Sequence, residues 1–593
     1  MRSMSTLKTI YTIYKPFLRP TTVVMLLLVF SIGAGFAVPY FFGKIVSAVT
    51  ANSPSEEIWT LVFGALVASL SALFISYMRE RFEARNLDWD IPHYFQYVTL
   101  NKANELSVNQ HMNENSGKLQ SIVNTGESAA RQLVKVIFYD VLPTFIRVSI
   151  AVILCLLLDI YVALVLLVSV ILLFIIMFWF QGHFRSELRS HEEMRHERNT
   201  LHAELLRNFV FIKLFGSSNK VISTYKKIGD EFVLIGKALW TRMMDYHLIQ
   251  GSFIHIIRIA TMVIALIGVF YGRYDVGGFV ILFTWVQSAT GQLESIYGIQ
   301  KQLIEVLPRV EKYMEFLNTK SDIIFGSYVP KHINGTIEFK NVEFVYRNKT
   351  YLSLEESDEH EREIKALKNL SFSIKAGQTV ALVGPSGAGK STIVQMLLGA
   401  YLPEKGDVLI DDISLASYDI DSLRQFIGYV PQQIDPFDDT IRANIELGLP
   451  ADRKASEDEI QKAVHIAALQ DVIIRAPKGL ETKIGEKGIK LSGGERQRLG
   501  IARALIRDPR ILIFDEATSN LDTKNERLIT EAVNRIAKDR TTIIIAHRLA
   551  TVAHADKIIY VKDGKVAAEG THKELLTSSP DYRELVEHQL VLD

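Results

Sequence analysis

Gly384-Pro385-Ser386-Gly387-Ala388-Gly389-Lys390-Ser391 and, further along, Leu491-Ser492-Gly493-Gly494-Glu495-Arg496-Gln497-Arg498 decide how this chain is read. In the first string the glycines stand where backbone N–H groups must close around phosphates. The lysine is spaced to reach the β/γ-phosphates, and the serine hydroxyl to meet Mg²⁺. An apolar helical run, Thr392 to Leu398, follows it. Phosphates held there would sit at a helix N-terminus, where unsatisfied N–H groups and the dipole favour anions. Ile511-Leu512-Ile513-Phe514-Asp515-Glu516 is an apolar strand ending in two carboxylates, one placed for a metal shell and the next for an attacking water.

The chain has 593 residues, 48% of them apolar, and a positive mean hydropathy, which puts part of it in a membrane class. The 66 basic residues balance 66 acidic ones and leave no electrostatic footprint for nucleic acid, so no such partner is expected. Cys155, the single cysteine, lies in an apolar run, which excludes an intrachain disulfide and a multi-cysteine metal site. The first apolar run is too long for a signal-peptide core and others follow it, so no cleaved leader is expected.

A membrane helix needs about 20 predominantly apolar residues to cross a hydrocarbon core of about 30 Å. Thr21 to Gly43, Ile58 to Met78 and Ile160 to Phe180 meet this without a charge. Val136 to Leu158 carries Asp140 and Arg147, His247 to Tyr271 carries His255 and Arg258, and Val276 to Gln292 is a shorter sixth span. The links near residues 50–57, at Asp159 and at Gly272 to Asp275 are short. Arg79 to Lys135 and Gln181 to Tyr246 are long, polar and rich in helix formers, so they prolong helices beyond the membrane. Lys8, Lys15, Arg19, Arg79, Arg81, Arg85, Lys135 and Arg185 flank the long-link side, which the positive-inside rule assigns to the cytoplasm together with both termini. Leu7, Ile10, Tyr11, Tyr14, Phe17 and Leu18 recur at helical spacing and give either an interfacial elbow helix or a continuation of the first span. A charge at mid-helix costs roughly 2.5 to 3.5 kcal/mol, so Asp140, Arg147, His255 and Arg258 must face a cavity, one another or the headgroups. Contact with a polar or anionic part of a substrate and internal pairing both satisfy that demand.

From about Gly335 the pattern changes to short β-rich runs between helices. Thr379 to Val383, Ile511 to Phe514 and Thr541 to Ala546 read as buried parallel strands, and Lys557 to Val566, broken at Asp563-Gly564, reads as a hairpin. The expected division is an elbow over 1–20, a transmembrane domain over 21–308, a linker over 309–334 and a nucleotide-binding domain over 335–593. The expected fold class is an α-helical six-span membrane domain plus an α/β P-loop NTPase domain.

With these strings in this order, the chain resembles an ABC exporter half-transporter over nearly all of its length, and the Leu491–Arg498 string is that family's signature. The resemblance implies that Asp515 orients Mg²⁺ with Ser391 and Gln432, and that Glu516 is the general base. It makes His547 the switch histidine on the γ-phosphate, and Gln432, in Tyr429-Val430-Pro431-Gln432, the Q-loop glutamine. Lys390 then acts on the transferred phosphate. Tyr346 is placed like the aromatic that stacks on adenine, although beside Phe344 it also fits a core. Ser519 to Asp522 resembles the D-loop, with Asn520 where alanine is common. ATP would thus be held by Tyr346, Gly384, Pro385, Ser386, Gly387, Ala388, Gly389, Lys390, Ser391, Thr392, Gln432, Asp522 and His547. Ser492, Gly493 and Gly494 would come from a second copy, since the family's signature faces a partner's γ-phosphate. The intact Glu516 and signature favour a homodimer with two active sites. The tips near Val108 to Ser116 and Asn208 to Gly216 resemble coupling helices, or are ordinary helix-helix turns. Tyr351 to Glu363 is longer and more acidic than usual in the family, as befits a solvated loop.

The activity so implied is ATP-driven export or flipping of an amphipathic or lipid-like compound by alternating access. The partners expected are a second copy, membrane lipids and that substrate. The expected location is a bacterial inner (plasma) membrane, crossed several times, with the nucleotide-binding domain in the cytoplasm. An ATP-gated channel or transport regulator on the same scaffold, and a peptide as substrate, are the competing expectations.

Overall fold

The structure, a computed structural model, describes residues 14–113, 116–347, 363–450, 452–485, 488, 490–515, 533, 536–537, 540–545, 552 and 554–590. The chain divides into two compact units. One is Met1–Glu105 with Glu114–Lys320, the other Leu106–Asn113 with Ser321–Asp593.

In hydrocarbon every backbone N–H and C=O has to be satisfied within its own segment, so the apolar runs of the first unit become helices. After a 3₁₀ turn at Lys15–Phe17 come α1 (Leu18–Thr50), α2 (Ser55–Asn86) and α3 (Asp90–Glu105). The short α4 (Val108–Asn113) belongs to the second unit, and α5 (Ser116–Lys135) returns to the first. A π-helical turn, Val136–Val141, leads into α6 (Leu142–Leu158). Then follow α7 (Ile160–Arg207), α8 (Phe209–Leu214), α9 (Ser218–Phe270), α10 (Val276–Glu294) and α11 (Ile296–Asn318). The two short turns after α6 and α9 are capped by aspartates: Asp159 accepts from the amides of Tyr161 and Val162, and Asp275 from that of Gly278. The long links are helical, α7 and α9 running 48 and 53 residues.

Among the described residues four helical stretches are long and apolar enough to cross a membrane: Lys15–Thr50, Ser55–Glu105, Ile122–Leu158 and Ser218–Phe270. Ile160–Ile176 is a shorter apolar helix. The expected span at Val276 lies in α10, which has 19 residues. Of the elbow, residues 1–13 lie outside the described residues. Tyr14 and Phe17 are buried in a cluster with Leu87 and Val134.

Small residues let α1 and α10 approach closely. A Cβ at Gly277 would lie 2.0 Å from Ser47 Oγ and 2.2 Å from the Gly43 carbonyl oxygen. The buried cluster beside this crossing includes Phe36, Cys155, Leu166, Leu282 and Trp285, whose indole N–H donates to the Phe36 carbonyl at 3.1 Å. Of the four ionisable residues singled out in the spans, Arg258 is paired: it reaches Glu294 at 2.7 Å and Thr290 Oγ1 at 3.1 Å. Asp140 and Arg147 make no ion pair among the described residues.

The second unit carries two sheets. The antiparallel one has the order β2-β1-β4-β5, from β1 (Ile337–Arg347), β2 (Glu363–Ile374), β4 (Lys405–Ile410) and β5 (Ile413–Ser414). The other has the order β10-β9-β3-β8-β7-β6. Its members are β3 (Thr379–Val383), β6 (Ile427–Val430), β7 (Ile511–Asp515), β8 (Thr541–Ile545), β9 (Lys557–Lys562) and β10 (Lys565–Gly570). Strands β3, β6, β7, β8 and β9 run parallel, and β10 folds back on β9 through Asp563-Gly564, both at positive φ. The near-continuous burial of β3, β7 and β8 is that of a parallel sheet covered on both faces. Helix α11 passes residue 308 and runs on to Asn318. The chain from Ser321 is then sewn to the second unit, with Gly326 N donating to Ala416 O at 2.7 Å and Tyr328 bridging Tyr418. The stretch 309–334 is thus a helix end followed by a strap.

Replacing Gly277 by Val should drive α1 and α10 apart and cost about 1–3 kcal/mol. Thermal unfolding in detergent should show the loss, and an unchanged midpoint would contradict the close crossing.

Candidate nucleotide site

The cradle lies between β3 and α12 (Lys390–Leu397). Gly384 has φ +155° and presses on its neighbour strand, so a Cβ there would lie 2.0 Å from Val561 O. Gly389 caps α12 at φ +106°. Both conformations demand glycine. Pro385, Ser386, Gly387 and Ser391 are exposed, while Gly384, Ala388 and Thr392 are buried. Lys390 is buried too, its ammonium donating to the carbonyls of Gly384 at 2.7 Å and Pro385 at 2.9 Å. A phosphate offers that ammonium a charged acceptor in place of neutral carbonyls, a stronger hydrogen bond.

Tyr346, at the end of β1, is half-buried. Its hydroxyl lies 3.0 Å from Thr392 Oγ1 and donates to Gln395 Oε1 at 3.2 Å, so α12 fixes the ring beside the cradle. The ring meets Phe344 and Tyr401 edge-on, at 5.0 and 5.4 Å between centroids. Burial pushes its phenol up and keeps it a donor. Core packing and a place beside the cradle therefore coexist at this residue.

Parallel pairing of Val430 with Phe514 brings the ends of β6 and β7 together. Gln432 and Asp515 therefore share one sheet end with the cradle, outside the carboxyl ends of the strands, where such sheets bind ligands. Asp515 accepts from the Tyr429 hydroxyl at 3.3 Å. Burial, and secondarily the carboxylate, push that phenol up. Gln432 is exposed, and its carbonyl accepts from Gln497 Nε2 at 3.0 Å. The oxygens of Ser391, Gln432 and Asp515 are the hard donors that Mg²⁺ prefers. Glu516, Asp522 and His547, with the rest of Ser519 to Asp522, lie outside the described residues, as do residues 351–362 of the acidic insert.

The signature begins α17 after α13 (Ile420–Arg424), α14 (Ile441–Glu446), α15 (Glu457–Ile466) and α16 (Gln470–Arg475), and α17 itself spans Gly493–Leu505. A capping box closes its first turn. Ser492 N donates to Glu495 Oε2 at 2.8 Å and Glu495 N donates to Ser492 Oγ at 3.3 Å. Burial pushes the Glu495 carboxyl up, but the Ser492 amide and Arg475, 2.6 Å away, outweigh it and hold it below its usual range. Ser492 and Gly493 are exposed, and a Cβ built on Gly493 would meet nothing within 4 Å. Among the described residues nothing in the packing requires glycine there. Gly500, by contrast, is tightly enclosed, a Cβ falling 1.9 Å from Ile434 Cδ1.

The ABC transporter transmembrane region family matches residues 21–292, and the ABC transporter family matches residues 367–519. Over 503 residues the chain is 30% identical to ABC transporter B family member 6 of Dictyostelium discoideum, covering 83% of this chain and 73% of the relative. The chain belongs to the ABC transporter family. The transmembrane region and the ABC transporter domain on one polypeptide give this ABC transporter the architecture of an exporter-type half-transporter. It is similar to ATP-binding cassette sub-family B member 6 of Mus musculus, 31% identical over 92% of this chain, and spans 64% of that relative's length. A solved structure of a bacterial Atm1-family ABC exporter with ATP bound matches 96% of this transporter and 99% of that chain, at 27% identity and a TM-score of 0.83.

Sequence reasoning missed Tyr429 and Gln497, which hold Asp515 and the Gln432 backbone. For Tyr429 the signal is strand adjacency, since it lies on the strand beside the one that delivers Asp515. Tyr429→Phe should lower ATP turnover about 2- to 12-fold, the worth of one hydrogen bond, and raise the Mg²⁺ concentration needed. A rate and Mg²⁺ dependence equal to wild type would free Asp515 from this hydroxyl.

Proposed function

We propose that the chain is a primary active exporter that hydrolyses ATP to move an amphipathic or lipid-like compound across a membrane by alternating access, as a homodimer with ATP at its interface. What carries the reading is the exposed, unobstructed start of α17 at Ser492 and Gly493, in a chain whose own cradle is complete at Gly384–Ser391. A helix start that is open at Gly493 among the described residues suits a phosphate brought by a second copy.

In that site Lys390 and the cradle amides bind the phosphates, Tyr346 supports adenine, and Gln432 orients the attacking water. Glu516 takes a proton from that water, while His547 holds the γ-phosphate and Asp522 joins the two sites. Ser391, Gln432 and Asp515 would hold Mg²⁺, which when bound would supply charge neutralisation at the phosphates. Shifting a two-state equilibrium from 1:99 to 99:1 takes about 5.5 kcal/mol of differential binding, which two enclosed ATP molecules can supply. The long cytoplasmic helices would carry the movement. The tip at Phe209–Leu214, with Phe211 and Leu214 exposed, presents the apolar side chains that its resemblance to a coupling helix calls for. The basic residues flanking the long links favour a cytoplasmic nucleotide domain, and a bacterial inner membrane is the proposed location.

In reconstituted vesicles Glu516→Gln should keep ATP binding and lower turnover by about 10²- to 10⁴-fold, the usual contribution of a positioned base. In the same vesicles a panel of lipids and amphipathic compounds should include some that raise wild-type hydrolysis. Undiminished hydrolysis in Glu516→Gln would remove that residue from its role. A flux that persists in Glu516→Gln with ATP bound would favour a gated channel instead.

A further inference from the structure

Residues Leu106–Asn113, the tip of the first long link, fall in the same compact unit as Ser321–Asp593. Within that unit, both oxygens of one carboxylate are engaged by the tip. Ser107 Oγ donates to Asp322 Oδ1 at 2.5 Å, and Asn109 Nδ2 donates to Asp322 Oδ2 at 2.7 Å. The tip is itself organised to present these donors. Ser107 N donates to Gln110 Oε1 at 3.0 Å and Gln110 N to Ser107 Oγ at 3.1 Å, the reciprocal bonds of a capping box at the start of α4.

Asp322 is held from the other side. Ser321 Oγ donates to Ile323 O at 2.9 Å, and the strap that follows is fixed by Gly326 to Ala416 and by Tyr328 to Ser417. At Gly326 even a Cβ would fall 2.2 Å from Ser417 O. The same carboxylate acts on Tyr401, whose phenol is pushed up to about 12 by burial first, then by Tyr346, and also by Asp322. Tyr401 in turn packs edge-on against Tyr346. The Tyr346–Tyr401 ring contact beside the cradle and the Asp322 fork that holds Ser107 and Asn109 therefore belong to one compact unit.

We propose that Asp322 is a positioning residue that fastens the first link's tip to the nucleotide unit, so that ATP occupancy beside Tyr346 moves that tip. The proposal rests on the ATP-driven reading above. Asp322 touches neither nucleotide nor metal in this account. It acts through the two hydrogen bonds it accepts, so its loss should separate ATP binding from the motion ATP drives.

The test uses the full chain in phosphatidylethanolamine/phosphatidylglycerol vesicles. A cysteine introduced at Val108, which is exposed, is labelled with a maleimide with and without MgATP and vanadate, the native Cys155 being buried. In wild type the trapped nucleotide should change the labelling rate. Asp322→Ala should keep the KM for ATP within about twofold, lower kcat about tenfold and abolish the nucleotide dependence of labelling, effects within the usual range of coupling between sites. Asn109→Asp, which sets two carboxylates against each other, should do the same. Asp322→Asn combined with Asn109→Asp restores one carboxylate and one amide and should recover most of both readouts. Asp322→Ala with Asn109→Ala should be no worse than Asp322→Ala, as coupled residues require. A wild-type kcat and labelling response in Asp322→Ala, or single losses that multiply in the double variant, would overturn the proposal. Should Asp322→Ala fail to fold, the exchange pair decides alone: recovery in the double over Asn109→Asp supports the role, and none overturns it. Absence of hydrolysis in wild type would instead sink the function itself, whereas normal wild-type hydrolysis with indifferent Asp322 variants sinks only this inference.

Discussion

A triphosphate is a dense anion, and the whole arrangement depends on where it finds unsatisfied N–H groups. The chain prepares two such places, each a helix start carrying roughly half a unit of positive charge. One is the turn into α12, where Gly384 and Gly389 adopt positive φ and Lys390 waits on loop carbonyls. The other is the turn into α17, capped by Ser492 and Glu495 and left open at Gly493. Both are exposed in part, the first at Pro385–Gly387 and the second at Ser492 and Gly493. On the proposed reading two copies are needed because the signature turn of one faces the phosphates held by the other, so each copy completes the other's site.

The membrane unit answers a different constraint, the satisfaction of backbone groups in hydrocarbon. Long helices meet it, and small residues such as Gly43 and Gly277 set how closely they cross. Paired polar groups remain where apolar packing stops, as at Arg258, Thr290 and Glu294. The long links are helices rather than loops, and on the proposed reading a displacement at a tip would be carried along tens of residues of α7 or α9. The two tips differ. Phe209–Leu214 presents exposed apolar side chains, whereas Leu106–Asn113 is already tied into the nucleotide unit through a carboxylate fork at Asp322.

What local chemistry dictates was legible in the chain. Glycine spacing predicts the cradle, unbroken apolar runs predict β3, β7 and β8, and Asp563-Gly564 predicts the β9–β10 turn. What depends on tertiary neighbours was not. Nothing in the string Tyr429 to Gln432 says that the Tyr429 hydroxyl meets Asp515, because the partner lies on another strand. The run of α11 to Asn318, and the assignment of residues 106–113 to the nucleotide unit, follow from packing between distant segments. The charge at Arg258 could be flagged as needing a partner, but Glu294 becomes that partner only once α9 and α10 lie side by side. Glu516, Asp522 and His547 lie outside the described residues, so their proposed roles rest on the resemblance alone.

The central claim is that ATP is enclosed between the cradle of one copy and the signature turn of another. The most direct measurement is disulfide formation between cysteines introduced at Ser386 and Ser492, both exposed, with native Cys155 buried. With MgATP and Glu516→Gln to hold the nucleotide, the account requires a covalent dimer that does not form without ATP. A bridge confined to a single polypeptide, or a dimer whose formation ignores ATP, would contradict it.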